Sequence, residues 1–197
     1  AKALSMEIPF QVCRPVVFGD RDVLLRAIRT QDLPASLELI DKIPEDGYQP
    51  GRIFLLSLSQ LNIHSVRFGQ PDRACGEAMA KYVEEAFRSV TSGKINAMTT
   101  CPINKQAMNQ AGYLFPGHTE FLAHLAQVSF VAMMFLGSRW KIVLVTTHLP
   151  LKDVSKRITA NRILSTLRLT DEGMKKHFGI SHPKIAVLGL NPHCGEG

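Results

Sequence analysis

Three histidines stand where a side chain can act on a ligand: His118 in Gly117-His118-Thr119-Glu120, His148 in Thr146-Thr147-His148-Leu149-Pro150, and His193 in Asn191-Pro192-His193-Cys194-Gly195-Glu196-Gly197. His148 and His193 each follow an apolar, β-rich run, at residues 141–146 and 184–190, and each loop holds a stiffening proline. Neighbouring parallel strands would bring the two imidazoles together, and neutral imidazole is a common ligand for zinc and other divalent ions. Taken singly, a histidine after a strand more often caps a loop by hydrogen bonding; the matched placement of the two tips the reading to a shared metal. His118 and Thr119 precede the apolar run Phe121-Leu122-Ala123, so Thr119 or a neighbour is placed to cap a helix whose free N–H groups suit a phosphate or carboxylate. The alternative there is an ordinary helix start. His124 on the same helix reads as a surface or packing residue.

Other polar residues have plainer readings. Lys105 can neutralise substrate charge or remain a solvated lysine, and Asn104 can cap the helix that begins beside it. Lys152 and Asp153 either line a crevice near His148 or form a helix's exposed first turn. His64, His177 and His182 carry no assignable chemistry.

These residues need a frame. Short apolar runs predict strands at 15–18, 52–56, 95–100, 130–136, 141–146 and 184–190. Helical periodicity is clearest over 71–90, where Ala74, Cys75, Ala78, Met79, Tyr82, Val83, Ala86, Phe87 and Val90 form one stripe. A second helix is predicted over 159–177 with Gly179 as its stop, and shorter ones at 21–29, 103–110 and 119–126. Strand and helix alternate, which predicts an α/β fold with a largely parallel sheet and ligands beyond the carboxyl ends of its strands. Residues 41–51, with Pro44, Gly47, Pro50 and Gly51, read as a surface loop within one region, not as a domain boundary.

Composition narrows the classes. The 197 residues, 45% of them hydrophobic, suffice for a substantial core. No apolar run approaches the ~20 residues of a spanning helix, and no secretory pattern opens the sequence, so no membrane association and a cytoplasmic location are expected. Four dispersed cysteines without a CxxC pair argue for reduced thiols over disulfides or a cysteine zinc site. The net charge of +6 comes from scattered Lys and Arg, so an anionic small molecule is expected and nucleic acid is not. There is no GxGxxG after a strand, no P-loop and no GxSxG elbow, which disfavours a conventional Rossmann site, simple phosphoryl transfer and esterase chemistry.

Three stretches in order, CPINKQAMNQAGYLFPGHTEFLA, VTTHLPLKDV and LGLNPHCGEG, closely resemble the 4-hydroxythreonine-4-phosphate dehydrogenase (PdxA) family. The resemblance extends through nearly the whole chain, including PVVFGD at residues 15–20 and HFGI at 177–180. It implies a fold similar to isocitrate and isopropylmalate dehydrogenases, with two lobes around a cleft, and a homodimer whose subunits share each active site. It also implies NAD or NADP as cofactor and a divalent ion (zinc, magnesium or cobalt) held by three histidines. His148 and His193 match two of those ligands, and His118 and Thr119 match substrate-contacting positions.

The implied reaction is oxidation of 4-phosphohydroxy-L-threonine to a β-keto acid that decarboxylates to 3-amino-2-oxopropyl phosphate, in vitamin B6 (pyridoxal phosphate) biosynthesis. The general base is not assigned. Against the family pattern, the glycine-rich GDPAGIGPE-like opening and the carboxyl-terminal third with the MYHDQG-like third histidine are missing. Residues 1–197 are therefore expected to be an incomplete dehydrogenase region, truncated at both ends and inactive alone. Two rivals follow: a related dehydrogenase for another phosphorylated sugar acid or an aromatic dihydrodiol, and a non-catalytic metal- or anion-binding fragment.

Overall fold

The computed structural model describes every residue except Phe68, Cys194, Glu196 and Gly197. The chain divides into two compact units, Ala1–Ala126 and Gln127–Gly197.

The first unit is built on a three-stranded parallel sheet in the order β1-β3-β2, formed by β1 (Val16–Asp20), β2 (Ser36–Leu39) and β3 (Arg52–Ser59). Central β3 is the most deeply buried strand, with Ile53, Phe54 and Leu55 almost fully enclosed. That is the expected result for a near-continuous apolar run with neighbours on both sides. A short 3-10 turn (Lys2–Ser5) and α1 (Ile8–Val12) precede the sheet, and α2 (Arg21–Thr30) follows β1. Arg26 on α2 donates to the carbonyls of Ile63 and Val66, fastening the loop after β3.

The predicted stripe becomes α3 (Arg73–Thr91), capped by Asp72, whose Oδ1 accepts from the Cys75 amide at 2.9 Å. Two shorter helices, α4 (Lys105–Gln110) and α5 (His118–Leu125), pack beside it around a cluster of Ala80, Val83, Met108 and Phe121. Tyr113 meets the Phe121 ring edge-on at 5.6 Å and Phe115 stacks on it at 4.9 Å.

In the second unit β4 (Met133–Leu136) and β5 (Lys141–Leu144) form an antiparallel hairpin closed by the Gly137 amide on the Trp140 carbonyl. Two helices follow, α6 (Leu151–Arg157) and α7 (Ala160–Phe178). Thr159 caps α7 at the Arg162 amide, and Gly179 ends it in the left-handed region (φ 66°), where the Ile180 amide reaches back to Met174. This is the stop the sequence predicts.

The expected largely parallel sheet therefore holds in the first unit, whereas the described strands of the second are antiparallel. Residues 95–100 and 184–190 were expected as strands and are irregular. Neither run has a described strand to exchange backbone hydrogen bonds with, and without one an apolar β-rich sequence does not become a ladder. Among the described residues, no helix is long and apolar enough to cross a membrane.

Candidate functional site

His118 is the first residue of α5, and Thr119 the second. Of the two alternatives for the cap, Thr119 or a neighbour, it is the neighbour Gly117 that holds the position, in extended conformation, and no side chain caps the end. The first amides of a helix lack intrahelical acceptors, so the end of α5 presents open donors and the positive pole of its dipole. Beside them the His118 Nε2 is buried without a hydrogen-bond partner among the described residues. A buried polar atom left unsatisfied costs about 1–3 kcal/mol, so it marks a place where a ligand group has something to gain. Three residues on, Phe121 anchors the helix in the core at 1% exposure. His124 packs against Phe115 with ring centroids 5.2 Å apart, in keeping with a packing role.

Asn104 caps α4 by accepting from the Ala107 amide at 2.9 Å, as expected, and leaves Lys105 exposed at the first helical position.

In the second unit, His148 lies between β5 and α6 with φ 55°, one of three non-glycine residues with positive φ among the described residues. The left-handed region costs a residue with a Cβ roughly 1–2 kcal/mol, and such strain gathers at functional loops. The loop is pinned on either side. Arg162 Nε donates to the Val145 carbonyl at 2.6 Å while its guanidinium lies 5.9 Å from the Phe130 ring centre, and Pro150 stands at the cap of α6. Asp153 pairs with Lys156 at 3.6 Å, which fits an exposed helix turn and not a ligand orienter.

His193 lies in a turn after the irregular 184–190 segment, so the expectation that neighbouring parallel strands carry the two loops is corrected: His148 follows β5, whose described partner is antiparallel, and no described strand precedes His193. Cys194, Glu196 and Gly197 of its motif lie outside the described residues. Among the described residues, no group of three or more His, Cys, Asp or Glu side chains is arranged to hold a metal ion. Imidazole suits a borderline dication in kind, but His148 and His193 do not complete a coordination shell in number.

One polar cluster had no role in the sequence reading. Asp20, at the end of β1, is buried and accepts four hydrogen bonds: Oδ1 from the amides of Asp22 and Val23, Oδ2 from the Leu61 amide and the Ser59 hydroxyl. Because Ser59 spends its proton on Asp20, Tyr82 donates to the Ser59 Oγ. Burial pushes the carboxyl up, but the Leu61 and Val23 amides, Ser59 and the Asp22 amide outweigh it and hold the group below the usual carboxylate range. Burial raises the Tyr82 phenol. The network joins the carboxyl ends of β1 and β3 to α2 and α3. The legible signal was Asp20 closing an apolar run directly before a helical pattern, an N-cap signature. Cys13, Cys75 and Cys101 are free.

A parallel sheet joined to helices through short connections places the chain in the class of α/β proteins. The model of the pyridoxal phosphate biosynthetic protein PdxA family matches residues 11–197, and the chain belongs to that family. It is 42% identical over 194 residues to a 4-hydroxythreonine-4-phosphate dehydrogenase of Desulforapulum autotrophicum, covering 98% of this chain and 57% of that protein. The crystal structure of a 4-hydroxythreonine-4-phosphate dehydrogenase from Burkholderia phymatum superposes with a TM-score of 0.87 at 35% identity, over 99% of this chain and 58% of that one. A terephthalate 1,2-cis-dihydrodiol dehydrogenase from Burkholderia xenovorans LB400 is more distant, with a TM-score of 0.57 and 25% identity over 92% of this chain and 54% of that one. The chain thus spans between half and two thirds of the length of these relatives.

Proposed function

We propose that this chain forms the substrate-holding and part of the metal-holding portion of a nicotinamide-dependent dehydrogenase that oxidises 4-phosphohydroxy-L-threonine, within vitamin B6 biosynthesis. The product is a β-keto acid that loses carbon dioxide to give 3-amino-2-oxopropyl phosphate. The observation that carries the reading is the buried His118 Nε2, without a hydrogen-bond partner among the described residues, at an amino end of α5 that no side chain caps, in a chain of the PdxA family. Open amides, the helix dipole and an imidazole in one place favour an anionic substrate and fix its orientation.

His148 and His193 would supply two imidazoles to a divalent ion, with further ligands from outside the described residues. A dication held there would supply charge stabilisation at the alcohol oxygen, and a nicotinamide cofactor, NAD or NADP, would supply the hydride acceptor. The protein's own part is to hold the anionic end of the substrate at His118 and Thr119 and to keep the His148 backbone in its costly conformation. A homodimer with shared active sites belongs to the same proposal.

Titration of the chain with 4-phosphohydroxy-L-threonine tests the substrate site. His118→Ala should weaken binding by about 1.5–3 kcal/mol, the worth of a hydrogen bond to a charged group; unchanged affinity would refute the assignment. A tighter fit for a non-phosphorylated aromatic dihydrodiol would instead favour the reading suggested by the more distant relative. For the metal, His148→Gly removes an imidazole where glycine is at ease. Zinc affinity should drop by more than about tenfold with stability unchanged or improved; retained affinity would remove His148 from the ligand set.

A further inference from the structure

The amino end of α5 must be placed by something, because its own cap contributes no side-chain hydrogen bond. Its anchor is Phe121, buried among Ala80 and Val83 of α3 and Met108 of α4. Along α3, Gly76, Ala80 and Val83 follow at intervals of four and three, so they lie on one face, and all three are buried. At Gly76 this face touches backbone. A Cβ built there would collide with the carbonyl oxygen and carbon of Ala107 and lie 2.9 Å from the Met108 amide nitrogen. Backbone atoms cannot swing aside as a flexible side chain does. Ala107 and Met108 are themselves almost fully buried, so α4 has no slack in which to absorb a methyl group.

We infer that Gly76 and Met108 are positioning residues for the ligand-holding end of α5: the missing side chain at Gly76 sets the depth of α4, and Met108 passes that depth to Phe121. Phe121 lies one helical turn from His118, so a displacement of α4 is delivered to the imidazole and to the open amides beside it. The inference rests on the proposed substrate-holding role of His118, and its two readouts separate the geometry from that role.

The experiment compares Gly76→Ala with Ile53→Val, a mild truncation in the buried centre of β3 that serves as a control for general destabilisation. The His118 imidazole is followed in histidine-selective NMR spectra, with His64, His177 and His182 as internal references, and affinity for 4-phosphohydroxy-L-threonine is measured by calorimetry. Gly76→Ala should shift the His118 resonances while the references stay in place, and should raise Kd by between about tenfold and about a hundredfold. Ile53→Val should lower Tm and change neither. Unmoved His118 resonances in Gly76→Ala, or an equal shift in Ile53→Val, would overturn the inference. Shifted resonances with unchanged Kd would support the positioning and count against the substrate role of His118 instead. Should Gly76→Ala fail to fold, Met108→Leu, which nearly conserves volume, decides the matter: a shifted His118 resonance supports the relay, and an unmoved one overturns it.

Discussion

The two units differ in what they bury. The first encloses Ile53, Phe54, Leu55, Met108 and Phe121, large apolar side chains drawn from strands and helices far apart in sequence. The second, among its described residues, buries Thr166 alone, and that hydroxyl donates to the Arg162 carbonyl of its own helix. Many of its large apolar residues are exposed, Trp140 to 72% and Leu188 to 89%, and the others are at most half-buried. The first unit is thus held by tertiary packing, and the second mainly by local devices, a hairpin turn, a threonine cap and a glycine stop, with Arg162 of α7 reaching Val145 and Phe130. Tertiary packing and local capping differ in strength by several-fold per residue, which is how the contrast can be tested.

Phe121→Ala should cost about 3–5 kcal/mol in urea unfolding, since it empties the centre of a closed aromatic cluster. A loss below ~1 kcal/mol would mean that the first unit is as loosely held as the second. Asp20→Asn should cost about 1–3 kcal/mol at neutral pH, because part of a buried four-bond network becomes unsatisfiable. Its acid profile is a sharper measure. The folded carboxyl sits below its unfolded value of about 3.9, so its contribution is complete above that pH and fades as the pH falls through the folded pKa. Acidification below about pH 4 should therefore narrow the gap between wild type and Asp20→Asn; a constant gap would break the assignment.

In the second unit Thr159→Ala should remove about 1 kcal/mol of the stability of α7, seen as faster amide exchange in its first turn. Leu188→Ser should change stability by less than about 0.5 kcal/mol. A loss of several kcal/mol there would show Leu188 to be packed against something, and the contrast between the units would fail.

The same difference explains what could be read from the sequence. The long stripe ending near Val90, the capping Asn104 and the terminating Gly179 were legible because each depends on neighbours within a turn or two. The edge strand β2 was not, since Ser36-Leu37-Glu38-Leu39 is too short and polar to stand out and owes its form to pairing with β3. Conversely, residues 95–100 and 184–190 carry the composition of strands but have no described partner, and composition alone does not supply one. For the proposed site, the three histidines stand out in the sequence by type and context. The left-handed backbone of His148 and the buried nitrogen of His118 were not, because φ and burial are set by the packing around them. Gly76 was silent for the same reason: a glycine inside a helical pattern signals weakness until the facing carbonyl of Ala107 is seen.

The position of β3 between β1 and β2 also fixes an order of events. Those outer strands do not touch each other, and every ladder in the sheet runs through residues 52–59. A nascent chain leaving the ribosome must therefore carry both earlier strands unpaired until the third arrives, and only then can the sheet close. A pause in translation just before residue 52 would prolong the interval in which those edges are open to foreign strands.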